Sequence, residues 1–176
     1  MAERTSRLGF AVEVVGFELR PAAAQDEIEH RLRTVVTGTL GDVRVDAGRA
    51  DGTDIGGARL TVVLPDEVDP ARTLPGLLMA TANRLAADNL RFPDRMRLRM
   101  AIGAGSGRLD RLLGSDPLWL AMARNPEANV VVLLSAALHE NVARPGPPDP
   151  ALGRLHRADP SPGAAWLWIG PDQTVR

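Results

Sequence analysis

Residues 7–17 read RLGFAVEVVGF, a run rich in β-branched and aromatic residues and punctuated by glycine, and this predicts a buried strand. From Pro21 the period changes. Ile28, Leu32, Val35, Val36 and Leu40 recur at three- and four-residue steps, which predicts a helix with Pro21 in its first turn and Gly41 near its end. The stretch VRVDAGR (43–49) alternates like a strand, ADGTDIGG (50–57) carries Asp-Gly turn chemistry, and ARLTVVLP (58–65) predicts the returning strand of a hairpin. The acidic segment DEVDP (66–70) leads into a predicted helix over 73–90, with Leu77, Leu78, Thr81, Leu85 and Asn89 spaced along it. A strand follows at 95–102, where Met96, Leu98, Met100 and Ile102 alternate with Arg95, Arg97, Arg99 and Ala101. That alternation reads RMRLR (95–99) as the solvated face of a strand.

The second half repeats these signals in shorter pieces. Leu109, Leu112 and Leu113 predict a short helix after the turn GAGSG (103–107), and PLWLAMAR (117–124) predicts another. A buried strand at 129–135 (NVVVLLS), a short helix at 136–143, a proline-rich loop over 143–153, the segment RLHRA (154–158), a DPSPG turn and a strand at 164–170 (AAWLWIG) complete the order. The predicted sequence of elements is β-α-β-β-α-β-(α)-β-α-β-β. Its split βαβ opening implies an antiparallel hairpin inside a mixed sheet, an α+β class, with helices packed on one face.

Composition narrows the function classes. A chain of 176 residues is expected to be a single domain, residues 1–176, with a core of its own. It has no cysteine, so disulfides, thiolate metal sites and thiol redox chemistry are excluded. The first twenty residues carry Glu3, Arg4, Arg7, Glu13, Glu18 and Arg20, so no secretory signal is expected. The longest apolar stretch, ANVVVLLSAAL (128–138), is far short of the roughly 20 residues that span a bilayer, so a cytoplasmic protein without membrane contact is expected. Net charge is −1 and every basic residue other than the histidines is arginine, which argues against nucleic acid as a partner and removes the lysine a P-loop needs.

Few motifs survive scrutiny. The turn GAGSG mimics part of a dinucleotide fingerprint, but residue 108, where the third glycine belongs, is arginine. A nucleophile elbow at Ser106 fails because Ala104 stands where glycine is required. His30, His139 and His156 show no ligand spacing and read as surface or satisfied core residues. The strand–turn–helix at 95–113 could still offer Gly103, Gly105, Ser106, Gly107, Arg108 and Arg111 to a phosphate, since a helix start favours negative charge.

The segments FAVEVVGF (10–17), GGARLTVVLP (56–65) and RMRLRMAIGAGSG (95–107), in this order and spacing, resemble the catalytic domain of class III nucleotidyl cyclases, notably the small cyclase-like proteins of actinobacteria. AAWLWIG is similar to that group's last strand, and the resemblance runs from about residue 7 to 170. It implies a ferredoxin-like βαββαβ core with C-terminal strand and helix additions. It also implies a dimer with active sites at the interface, where two aspartates hold two divalent ions above the nucleotide.

Carried over residue by residue, the first aspartate falls on Glu13 and the second on Ala58, which has no side-chain oxygen. Magnesium's short distances and octahedral geometry tolerate such losses badly, so the pair is read as a vestigial metal position. Asp51 and Asp54 lie nearby, but turns select Asp for backbone bonding in any case. The family's transition-state arginine aligns with Arg111 and its asparagine with Gly107, and its adenine-selecting lysine falls near Ile55.

An unpaired buried carboxylate is costly, so Glu13 is expected to have a partner, an arginine in preference to a metal. Trp119, Trp166 and Trp168 are candidate interface anchors, with core packing the competing role for Trp166 and Trp168. The expected function is a catalytically inactive cyclase-like domain that acts as a regulatory or scaffold protein by pairing with itself or another protein. The alternatives are a purine-nucleotide sensor without turnover and an active cyclase with an unusual metal site. No cofactor is expected, with weak magnesium, manganese or nucleotide binding left open.

Overall fold

The computed structural model describes residues 7–54, 58–104, 108–142, 149–158 and 165–171. A seven-stranded sheet runs through them in the order β2-β3-β1-β4-β5-β7-β6, formed by β1 (Leu8–Val14), β2 (Asp51–Asp54), β3 (Arg59–Val63), β4 (Leu98–Ala104), β5 (Val130–Leu134), β6 (Leu155–Arg157) and β7 (Trp166–Ile169). β4 and β5 pair in parallel and every other neighbouring pair is antiparallel. The first four strands, with α1 (Ala22–Asp42) and α2 (Pro70–Arg91), make the expected βαββαβ core. Beyond it come α3 (Leu109–Leu113), α4 (Asp116–Arg124), β5, α5 (Ala136–Val142) and the β6–β7 pair.

α1 buries Ile28, Leu32, Val35, Val36 and Leu40, the positions its periodicity marks. α2 starts at Pro70, earlier than the pattern predicts, because the Asp69 carboxylate accepts hydrogen bonds from Ala71 N at 2.9 Å and Arg72 N at 3.4 Å. That is an N-cap, and Pro70 suits the position after it. The two helices are fastened by Arg31, which is 2 % exposed and donates to Asp88 Oδ2 at 2.9 and 2.6 Å and to the Asp94 carbonyl at 2.9 Å.

Three expectations are corrected. The stretch 43–49 forms no strand. Arg44 takes a left-handed φ of 59°, Val45 N bonds back to the Leu40 carbonyl, and Asp46 accepts from Gly48 N, so the apparent alternation serves a helix end and an Asx turn. The first hairpin strand is instead Asp51–Asp54, inside the segment read as the turn.

Helices also cover both faces of the sheet. Leu8, Phe10, Val12 and Val14 pack with α1 and α2, while Ala11, Ala101, Val131 and Leu133 pack with Leu109, Leu113, Leu118 and Met122 of α3 and α4. Consequently β4 is buried on both sides, and RMRLR is no solvated face. Arg97 donates to the carbonyls of Met122, Asn125 and Ala128, and Arg95 to those of Pro126 and Glu127 and to Asn129 Oδ1, which ties the end of α4 to the start of β5.

Candidate functional site

β1 is a central strand, and alternation sends Gly9, Ala11 and Glu13 to the face covered by α3 and α4. Glu13 lies near the strand's end, opposite Arg59 of β3 on one side and Arg99 of β4 on the other. A single carboxylate thus stands between two guanidinium groups. Arg99 Nη2 donates to Glu13 Oε2, the arginine partner expected for that acid.

Arg99 is 4 % exposed, and its guanidinium carbon lies 3.4 Å from the ring centre of Trp119 on α4. This is a close cation–π stack beneath an indole that is 49 % exposed. Burial pushes the Arg99 pKa down from the ordinary arginine value. The Glu13 charge and hydrogen bond pull it back up, Arg59 lowers it and Glu18 raises it. Arg59 Nη2 pairs with Asp110 Oδ1 of α3 at 2.5 Å. Three buried guanidinium nitrogens of this cluster, Arg59 Nε, Arg99 Nε and Arg99 Nη1, have no hydrogen-bond partner.

Ala58 is 4 % exposed and packs with Val12 and Val14, on the other side of the sheet from Glu13, while its carbonyl accepts from Val14 N at 2.9 Å. The β3 residue that faces Glu13 is Arg59. The structure therefore does not bring Glu13 and position 58 together on one face.

Gly103 is the penultimate residue of β4, where a Cβ would come 3.4 Å from Ser135 Oγ, a packing position beside the start of α5. Gly105, Ser106 and Gly107 lie outside the described residues. Arg108 and Arg111 are exposed on and beside the short α3, flanking the Asp110 that reaches Arg59. Trp168 is fully buried and donates from Nε1 to the Ala151 carbonyl at 3.0 Å, so it is a core residue. Trp166 stacks on His139 with ring centres 3.7 Å apart. Of the three indoles, Trp119 is the one that reaches the surface broadly, next to an exposed Leu120.

Pattern reading missed Arg59 and Arg99 as site residues, and it marked Trp119 as an interface anchor without its stack on Arg99. The signal for Arg99 lay in the alternation of RMRLR, which puts Arg99 opposite Glu13 once β1 and β4 are paired.

Comparison with solved structures decides the fold. The chain superposes on the adenylyl cyclase CyaB from P. aeruginosa with a TM-score of 0.56 at 12 % identity, covering 95 % of this chain and 94 % of that one. The guanylate cyclase domain of RhGC from Catenaria anguillulae, solved with GTP, gives 0.59 at 9 % identity, with 98 % and 100 % covered. The fold is that of the nucleotidyl cyclase domains. An adenylate/guanylate cyclase/hydrolase from Silicibacter pomeroyi gives 0.53 at 14 % identity, with 94 % and 98 % covered. No family model and no curated protein matches the sequence.

In this cyclase-like fold, the described residues around Glu13 do not fit a pair of divalent cations. Among the described residues no group of three or more His, Asp or Glu could hold a metal. The two carboxylates of the cluster are already held by arginines, Glu13 by Arg99 and Asp110 by Arg59. A dication drawn to Glu13 would face two fixed positive charges, whereas hard cations need several anionic oxygens at short distance. No described helix is long and apolar enough to cross a membrane.

Proposed function

We propose that this chain is a cyclase-like domain without cyclase activity, which works as a regulatory or scaffold protein by pairing with a second copy or with another protein. One observation carries the reading: a guanidinium occupies the electrostatic place of a cation at Glu13, with a second arginine opposite. The chemistry of nucleotide cyclisation needs a charge clamp on the transferring phosphorus and an activated hydroxyl. An internal ion pair supplies neither, because its charges are spent on each other.

The adjacent exposed pair Trp119 and Leu120 on α4 supports the pairing role, since aromatic and aliphatic anchors at a surface suit a protein partner. The whole chain acts as one domain in this reading. Incubation with ATP or GTP and manganese, followed by mass spectrometry, is expected to give no cyclic nucleotide. A cyclic product abolished by Glu13→Gln would overturn the proposal. Sedimentation velocity is expected to show association that Leu120→Asp weakens, and a strictly monomeric wild-type chain that captures no partner would remove the scaffold role.

A further inference from the structure

We infer that the edge strand β2 and the groove beside it form a docking site for an extended segment of another protein, one that carries an aliphatic residue between basic ones. The inference rests on the reading that the chain works by pairing, and it adds a surface separate from Trp119 and Leu120, which belong to α4 on the other face of the sheet. β2 stands first in the sheet order, so its outer side has no strand neighbour among the described residues. The backbone donors and acceptors along such an edge can pair with a further strand.

The groove sets what that strand would bury. Val36 and Leu40 of α1, with Leu60 and Val62 of β3, line an open groove of about 300 Å³ that reaches Gly52 on β2. Gly52 keeps it open. It pairs with Val62, which packs towards α1 and α2, so position 52 faces the helices as well, and a Cβ built there meets nothing within 4 Å. An added strand sends alternate side chains to that face, and the one opposite Gly52 enters the groove, where aliphatic walls favour an aliphatic residue.

Charge selects the occupant. β2 has an aspartate at each end, Asp51 and Asp54. A second copy pairing antiparallel about a two-fold axis would set Asp51 of each copy opposite Asp54 of the other, and like charges directly opposite destabilise a ladder. The same two acids favour lysine or arginine at the positions across from them. Asp51 shares the Arg7 guanidinium with Asp66, two acids to one base, which leaves this end of the edge anionic, while Arg33 of α1 stands at the groove as an opposing charge. In an antiparallel partner strand the residues opposite positions 54, 53, 52 and 51 therefore read basic, any, aliphatic, basic.

The test is fluorescence anisotropy of a short, end-capped, fluorescein-labelled peptide with the core Lys-Thr-Val-Lys, titrated with the full chain. Saturable binding is expected with a Kd of about 100 μM or below. Gly52→Val places its methyl groups in open space, so the fold is kept, as an unchanged Tm would check, and binding is expected to weaken about fivefold or more. Asp54→Lys is expected to weaken it likewise, and a peptide with the core Glu-Thr-Val-Lys, whose reversed charge falls opposite position 54, to bind this variant better than the wild type. The core Lys-Val-Thr-Lys keeps the charges but turns valine to the other face, and is expected to bind several-fold more weakly. Equal binding of the two lysine cores, no saturation up to about 0.5 mM chain, or wild-type self-association that Gly52→Val abolishes would each overturn the inference, the last by giving the edge to a second copy. All three leave the absence of cyclase activity standing. Peptide binding needs no catalysis, so a cyclic product in the nucleotide assay would overturn that absence and leave the β2 site in place.

Discussion

Replacing Glu13 by alanine separates a structural counter-ion from a ligand for something absent. The Arg99 side chain is 5 % exposed and that of Glu13 is 28 % exposed, and Glu13 accepts Arg99's one side-chain hydrogen bond. Removing one partner of a fully buried ion pair costs about 3–5 kcal/mol, because the other charge stays buried and unpaired. Solvent reaching the edge of Glu13 reduces this, and about 2–3 kcal/mol remains. For a chain of 176 residues, where each kcal/mol shifts Tm by roughly 2–4 °C, the expected fall is about 4–12 °C. Thermal unfolding followed by far-UV circular dichroism in phosphate-free buffer measures it. The double variant Glu13→Ala/Arg99→Met removes the stranded charge and fits the cluster with an apolar chain, so it should recover at least half of the loss. A Glu13→Ala protein as stable as the wild type, or more so, would refute the reasoning: it is the behaviour of an acid kept for a ligand at the expense of the fold.

Other outcomes follow from the same contacts. Asp88→Ala strands Arg31, which is 2 % exposed between α1 and α2, and is expected to cost about 3–5 kcal/mol by urea denaturation. Trp168→Ala empties a fully buried site and orphans the Ala151 carbonyl, for a loss of about 3–5 kcal/mol in the same assay. Burial against Trp166 lowers the His139 pKa below its ordinary 6.5, with Glu140 opposing, so the folded chain binds that proton more weakly than the unfolded one. Stability should therefore fall as pH drops through 6.5 and level off below the folded value. His139→Phe keeps the stack and should remove that part of the Tm-versus-pH curve; an identical curve would refute it.

The order of elements was legible because most strands and both long helices carry the period of their one or two buried faces. Boundaries failed where local chemistry imitates a period. VRVDAGR alternates, yet its polar members serve a left-handed residue and an Asx turn, while β2 (DGTD) has almost no apolar residue to announce it. RMRLR misled for a different reason. Arginines on alternate positions look solvated until the second layer, α3 and α4, is known to lie over them. Glu13's need for a cationic partner was legible from the cost of burying an acid. The identity of that partner was not, since Arg99 is 86 residues away in sequence and only the β1–β4 register brings it across.

The central claim is that Arg99 takes the cation's place at Glu13, and manganese itself tests it most directly. Electron paramagnetic resonance of the free aquo ion, titrated against the chain in a buffer without chelating anions, should give the same intensity as a protein-free solution. Saturable loss of that signal, restored by Glu13→Gln, would contradict the account.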